Sequence, residues 1–314
     1  MDKESLRIIY ITGEGRSGST LLDRILGQAD GFVSCGEMWL LWERGYEENQ
    51  LCGCGHPFRE CFFWSKVIAR TVSQLEYPEL GHALEVQKSI MRLRYIPWLL
   101  SPRLQPQWYR EKLSAFAKTI KILYSAVLAE AGADVIIDSS KMPLYGLLLA
   151  ATGVFDVNAV HLVRNSNAVT YSWQRKRVRS EIIERVEYMP TMSALSSAVQ
   201  WMKENILSEV LTRYAKKGVV VRYEDLMSHP SATVHALLYE FGLHDRAVHG
   251  LAGATVMLGS NHIPSGNPMR FKSGEICLRE DDEWRHKMSR PKRALVTGLT
   301  LPLLLRYGYR CNLS

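Results

Sequence analysis

The chain has 314 residues, 46% hydrophobic and 23% charged, which supports a sizeable buried core and excludes a disordered or fibrous sequence. Its formal charge of +7 favours anionic ligands, yet no helix-turn-helix or aromatic-interleaved basic motif points to nucleic acid. No apolar run reaches the ~18 residues of a membrane span, the longest (Leu295 to Leu305) being broken by Gly298 and Pro302, and the charged start Met1-Asp2-Lys3-Glu4 is unlike a secretory signal, so a cytoplasmic protein is expected.

The run Ile8-Ile9-Tyr10-Ile11 reads as a buried strand. Gly13-Glu14-Gly15-Arg16-Ser17-Gly18-Ser19-Thr20 follows, then Leu21, Leu22, Ile25 and Leu26 at the spacing of one helix face. A strand, a glycine-rich turn and a helix start in that order build an anion site, because backbone N–H groups and the helix N-terminus converge. The spacing approaches a Walker A loop, with Gly13, Gly18 and Thr20 in place, but Ser19 stands where that loop's lysine belongs. The cation appears inside the loop instead, at Arg16. This predicts a phosphate cradle for a ligand other than a nucleoside triphosphate, the alternative being a turn with no ligand.

Phe32 to Cys35 reads as a second strand, turned by Gly36 so that Glu37 stands near its carboxyl end, where open α/β sheets hold their ligand. The alternative for Glu37 is a helix cap or a surface glutamate. Residues 49–64 read as a loop carrying Cys52, Cys54 and Cys61. This C-x-C-x6-C set offers three of the four ligands of a closed zinc site, and His56, the candidate fourth, fits no common spacing. A thiol-rich structural loop or a local disulfide is the preferred reading; the six cysteines of the chain do not describe a disulfide scaffold. Residues 40–105, helical around Ala83 to Tyr95 and interrupted by Pro97 and Pro102, read as an insertion that shapes substrate specificity. Trp39, Trp42, Phe62, Phe63, Trp64, Trp98 and Trp108 fit an apolar or ring-bearing acceptor and a core equally well.

Helical spacing runs from Tyr109 through Leu128 to a stop at Gly132. Asp134 to Ile137 is the next strand, ending in Asp138-Ser139-Ser140-Lys141-Met142-Pro143 before a helix over Leu144 to Ala151. Lys141 is placed to touch the ligand, unless Ser139 or Ser140 caps the helix and Lys141 is solvated. Ala159 to Val163 leads to Arg164, eight residues before Ser172, and a tight turn lets both converge on one anion. In the basic run Arg175 to Arg179, Lys176 and Arg177 read as solvated. Ser193 to Lys216 reads as a long helix with Leu195, Val199, Met202, Ile206, Val210 and Tyr214 on its core face. Gly218 to Val221 is a strand ending in Arg222-Tyr223-Glu224-Asp225, and Pro230 opens a helix to Phe241. Residues 250–276, too polar for core, read as a segment covering the ligand, and Trp284 to Tyr309 as helices joined near Pro291 and Pro302. The alternation predicts an α/β fold: a single P-loop-like domain over 1–314, its mostly parallel sheet flanked by helices, with a helical insertion after the first βα unit.

Taken together, these blocks resemble the sulfotransferases that use 3′-phosphoadenosine-5′-phosphosulfate (PAPS), above all the bacterial small-molecule type and the tyrosylprotein enzymes. Arg16-Ser17-Gly18-Ser19-Thr20-Leu21-Leu22 is similar to the family's 5′-phosphosulfate loop, Cys35-Gly36-Glu37 to the motif carrying a glutamate base, and Ser140-Lys141-Met142-Pro143 to the segment that supplies a cation to the bridging oxygen. Arg164 with Ser172 resembles the 3′-phosphate site, Tyr223-Glu224-Asp225 a segment beside the adenine, and Gly266-Asn267-Pro268-Met269-Arg270-Phe271 a cofactor-covering loop. The resemblance implies in-line sulfuryl transfer to a hydroxyl or amine of a small-molecule, glycan or lipid acceptor. Glu37, Arg16 and Lys141 would be catalytic; Arg16, Ser17, Gly18, Ser19, Thr20, Leu21, Arg164, Ser172, Tyr223, Met269, Arg270 and Phe271 would hold PAPS. It implies no metal in the chemistry, the two cations neutralising the leaving oxygen, and allows a homodimer. The rival readings are a P-loop small-molecule kinase and a non-catalytic protein that binds 3′-phosphoadenosine 5′-phosphate (PAP).

Overall fold

Five strands, β1 (Leu6–Thr12), β2 (Phe32–Ser34), β3 (Val135–Lys141), β4 (Phe155–Val163) and β5 (Lys217–Arg222), form one sheet in the order β2-β3-β1-β4-β5. Every pairing is parallel. The computed structural model describes residues 5–75, 79–179, 181–182 and 186–309; the charged start at Met1–Glu4 lies outside them. β1 is central and covered on both sides, which explains its unbroken apolar run. Ile8 and Tyr10 enter the core on one face, Ile9 and Ile11 the core on the other, as strand alternation requires.

The helices are α1 (Ser19–Leu26), α2 (Phe62–Val72), α3 (Glu79–Ile90), α4 (Ile96–Leu100), α5 (Gln107–Ala131), α6 (Pro143–Ala151), α7 (Ser166–Gln174), α8 (Ala194–Tyr214), α9 (Tyr223–Ser228), α10 (Pro230–Glu240), α11 (Trp284–Lys287) and α12 (Arg290–Arg306). α5 stops where expected, at Gly132 in the left-handed conformation. The insertion folds against the core that contains α5 and α6 and buries Trp42 and Trp64 there. Phe62 stays largely exposed, and Trp108 packs edge-on against Tyr95, Trp98 and Tyr109 with part of its surface open. Most of the insertion's aromatic residues are therefore core or packed against it.

Four expectations are corrected. The loop over 49–64 ends early, because Phe62 already begins α2. Residues 250–276 are not all irregular: β6 (Leu251–Ala252), β7 (Thr255–Leu258) and β8 (Gly274–Cys277) form a small antiparallel sheet. Pro302 lies inside α12 rather than at a joint. Half of the face assigned to α8 is wrong: Met202, Val210 and Tyr214 pack half-buried against the core as expected, but the other three residues do not. Leu195, Val199 and Ile206 are 50% or more exposed, whereas Ala198, Trp201, Asn205, Ser208 and Leu211 are buried. The buried face carries polar groups that hydrogen-bond toward the sheet: Ser208 Oγ to Thr12 Oγ1 at 2.9 Å, Asn205 Oδ1 to the His161 ring at 2.8 Å, and Trp201 Nε1 to the Arg164 carbonyl at 2.9 Å.

Candidate active site

Every strand that carries a predicted site residue delivers it to the same carboxyl edge of the sheet. β1 opens into the glycine-rich loop. Gly18 caps α1 at φ +93°, a left-handed conformation. A Cβ there would lie 2.7 Å from the Tyr223 ring, so only glycine fits between that ring and the loop. Ser17, Ser19 and Thr20 are buried, and Leu21 is half-buried. The first N–H groups of α1 have no acceptor within the helix, which is what the expected anion cradle requires.

Arg16 and Lys141, the two predicted catalytic cations, both have left-handed backbone, at φ +69° and +65°. This conformation costs of order 1–3 kcal/mol for such residues and clusters at functional sites. At Lys141 it has a visible cause. Tyr10 pairs with Asp138 but Thr12 pairs with Lys141, so β3 carries one extra residue, a bulge that re-aims the side chain. The Lys141 carbonyl accepts from Gly13 N at 3.2 Å. Its ammonium donates to Glu37 Oε1. The chain at Glu37 is anchored in turn, since Glu37 N donates to the Ser265 carbonyl at 3.0 Å. Arg16 stacks over Trp173 with Cζ 4.6 Å from the ring centroid. Burial and the nearby Arg177 charge lower its pKa, while Glu37 is the strongest of the acids that oppose them.

Arg164, at the end of β4, is buried, donates to the Arg16 carbonyl at 3.0 Å and stacks on Tyr223 at 4.3 Å. Ser172 is buried in the second turn of α7. Asp281 lies between Arg164 and Arg175: its carboxylate is 3.5 Å from Arg164 Nη2 and 3.6 Å from Arg175 Nη1. The 260–271 segment reaches the cradle through Asn267, whose N–H donates to Thr20 Oγ1 at 3.4 Å. Met269 offers its carbonyl to Arg24 at 2.9 Å. Arg270 is fully buried, bonded to the carbonyls of Gly266 and Leu51 and stacked on Phe271 at 4.5 Å. Trp173, Tyr223 and Phe271 thus each carry a stacked arginine.

Three acids escaped the sequence reading. Glu14 lies inside the loop, where burial and the Glu204 charge raise its pKa to about 7 against hydrogen bonds from Trp173 and Gln200. Asp23, in α1, is fully buried and accepts from Ser34 Oγ, Ser139 Oγ and Gly36 N, so it fixes the turn before Glu37; burial raises its pKa to about 7. Asp138 accepts from Tyr124 and from both N and Oγ of Ser140. Ser139 and Ser140 are thus committed to Asp23 and Asp138, and the N-cap of α6 is Met142, without a side-chain cap. The capping alternative for those serines fails. An acid between two loop glycines was a readable signal for Glu14; nothing local marked Asp23.

This edge brings Arg16 and Arg164 to the loop, with a carboxylate and an ammonium, Glu37 and Lys141, paired on the neighbouring strand ends. Among solved structures, the sulfotransferase domain of the Synechococcus PCC 7002 olefin synthase aligns over 98% of this chain and 96% of its own, at 20% identity and a TM-score of 0.51. It shows the shared fold. The sulfotransferase domain from the curacin biosynthetic pathway aligns over 98% of both chains at 16% identity, with a TM-score of 0.48. No curated protein gives a significant sequence match. The sequence model of the sulfotransferase family matches residues 9–246, about three quarters of the chain, and the chain belongs to that family.

Proposed function

We propose that the chain moves a sulfuryl group from PAPS to a hydroxyl or amine of a small-molecule, glycan or lipid acceptor. The observation that carries this reading is the meeting of Arg16, the Lys141–Glu37 pair and Arg164 on one sheet edge around the loop. The side chains also fit the nucleotide: Nε of Arg16 and Nε of Arg164 are buried without a hydrogen-bond partner among the described residues. An anion reaching them would satisfy donors whose isolation otherwise costs about 1–3 kcal/mol each.

In this reading the N–H groups of Ser17 to Thr20 and Thr20 Oγ1 hold the 5′-phosphate, while Arg164 and Ser172 hold the 3′-phosphate. The donor supplies an activated sulfur–oxygen bond, which breaks as the acceptor's oxygen or nitrogen bonds to sulfur. Glu37 takes the proton the acceptor loses. Lys141 and Arg16 face the negative charge that gathers on the leaving phosphate; preorganised groups of this kind contribute roughly 3–4 kcal/mol each in the transition state. The lysine must turn from Glu37 toward that oxygen, which frees the carboxylate to act as a base. Among the described residues no helix is long and apolar enough to cross a membrane.

The test is transfer of ³⁵S from labelled PAPS to a pooled metabolite extract. Labelled product that disappears with Glu37→Gln supports the reading. Phosphate transfer from magnesium–ATP without sulfate transfer would replace it with the kinase.

A further inference from the structure

Cys52, Cys54, Cys61 and His262 place one ligand atom each within 4.8 Å of all the others. Cys61 Sγ is 3.3 Å from His262 Nδ1, and Cys54 Sγ is 3.6 Å from Cys61 Sγ. Zinc–sulfur bonds of ~2.3 Å and a zinc–nitrogen bond of ~2.0 Å in a tetrahedron require edges of roughly 3.5–3.8 Å. We infer that these four side chains form a closed structural zinc site that joins the insertion to the segment lying over the anion cradle.

The sequence could not supply the fourth ligand. His56 is exposed at the turn, giving its carbonyl to Cys52 N at 2.8 Å, and lies outside the cluster. His262 stands 201 residues beyond Cys61. The cysteines are free thiols, and a 3.6 Å separation is far beyond the ~2.05 Å of a disulfide.

The surroundings are those of a shaped site. The His262 ring lies flat on Phe63, with centroids 5.0 Å apart and planes 11° from parallel, and its carbonyl accepts from Trp64 Nε1 at 2.6 Å. Gly53 N donates to the Ile263 carbonyl at 2.9 Å. A Cβ on Gly53 would fall 2.0 Å from Asn261 Oδ1, so glycine is what lets the two segments approach. Three thiolates and a divalent ion leave one negative charge. Arg270 is a buried cation bonded to the Leu51 carbonyl, next to Cys52, and counters that charge. Four protein ligands leave no open position, which marks a structural site rather than a catalytic one.

The consequence reaches the cradle. The segment that begins at His262 continues through Ser265, which accepts from Glu37 N, to Asn267, which donates to Thr20. Zinc would fix that segment against the insertion and so stabilise both contacts. The site itself does not depend on the sulfotransfer reading, and its test does not use turnover.

The full chain is purified under reducing conditions without chelator, and its metals are counted by plasma mass spectrometry. We expect about one zinc per chain, retained by Cys277→Ser, whose thiol is exposed and outside the cluster. Cys54→Ser and His262→Ala lose most of it, and removing zinc lowers the thermal midpoint. Because those variants could fail to fold, cobalt is added to the zinc-depleted wild-type chain. Intense tetrahedral d–d bands with thiolate-to-cobalt charge transfer support the site. A chain that holds no zinc and gives no such spectrum overturns it, as does iron in place of zinc or a Cys54–Cys61 disulfide found by mass spectrometry.

Discussion

Lys141 donates a hydrogen bond to Glu37 across the carboxyl ends of the neighbouring strands β3 and β2, so an ammonium and a carboxylate share one end of the anion cradle. The two have opposite tasks in the proposed reaction and should separate in mutants. Glu37→Gln should lower kcat by ~10²–10⁴-fold, the usual worth of a general base. PAP affinity, measured by calorimetry, should stay nearly unchanged. Lys141→Met should lower kcat by about 10²–10³-fold, as loss of a charge-stabilising donor does. A Glu37→Gln enzyme that turns over normally would remove Glu37 from the base role.

Asp281 lies between Arg164 and Arg175 at 3.5 and 3.6 Å, where a 3′-phosphate would compete for the same cations. Asp281→Asn should therefore tighten PAP binding several-fold while leaving ADP, which lacks that phosphate, little changed. Arg164→Ala should weaken PAP far more than ADP. Equal effects on both nucleotides would show that Arg164 does not read the 3′-phosphate.

Glu14 gives a pH prediction. Its folded pKa of about 7 lies above the ordinary value of 4.5, so the folded chain keeps a proton that the unfolded chain has lost. Stability from this group is complete below pH 4.5 and falls as pH rises toward 7. Asp23, raised to about 7, and Asp138, raised to about 6, act in the same direction. His161, buried and lowered to about 4, opposes them: its contribution rises between pH 4 and 6.5. Glu14→Gln should flatten the decline in thermal midpoint between about pH 5 and 7. Bound phosphate should raise the Glu14 pKa further, so PAP binding near neutral pH should take up a proton. Calorimetry in buffers of different ionisation enthalpy reads that uptake, and the glutamine variant should lack it.

Asp23 is a stability prediction. Asp23→Ala leaves the buried Ser139 hydroxyl and Gly36 N–H, and the half-buried Ser34 hydroxyl, without their acceptor. Each unmade bond costs about 1–3 kcal/mol, so urea unfolding should show a loss of several kcal/mol. Asp23→Asn should lose less, because one amide oxygen still accepts. An alanine variant as stable as the native chain would show that the turn before Glu37 holds without it.

The strands and the edge they share were legible because buried parallel strands are short apolar runs and their ends carry the polar residues. Arg16, Glu37, Lys141 and Arg164 were all read from that position. What stayed hidden depends on long-range partners. Ser197 and Ser208 on α8 are buried against Thr170 and Thr12, so counting aliphatics found Met202, Val210 and Tyr214 but also took in the exposed Leu195, Val199 and Ile206. Asp23, Asp281 and His262 act through residues 11 to 201 positions away, and no local pattern marks them. The antiparallel sheet over 251–277 has strands of two to four residues, too short for alternation to rise above its glycines and polar residues.

In the proposed reaction the turn after β1, together with Arg164, holds a 3′-phosphorylated adenine nucleotide. Calorimetry of the purified chain with PAP, ADP and magnesium–ATP tests it most directly. PAP should bind most tightly of the three and need no added magnesium. A chain that binds magnesium–ATP and ignores PAP would contradict it.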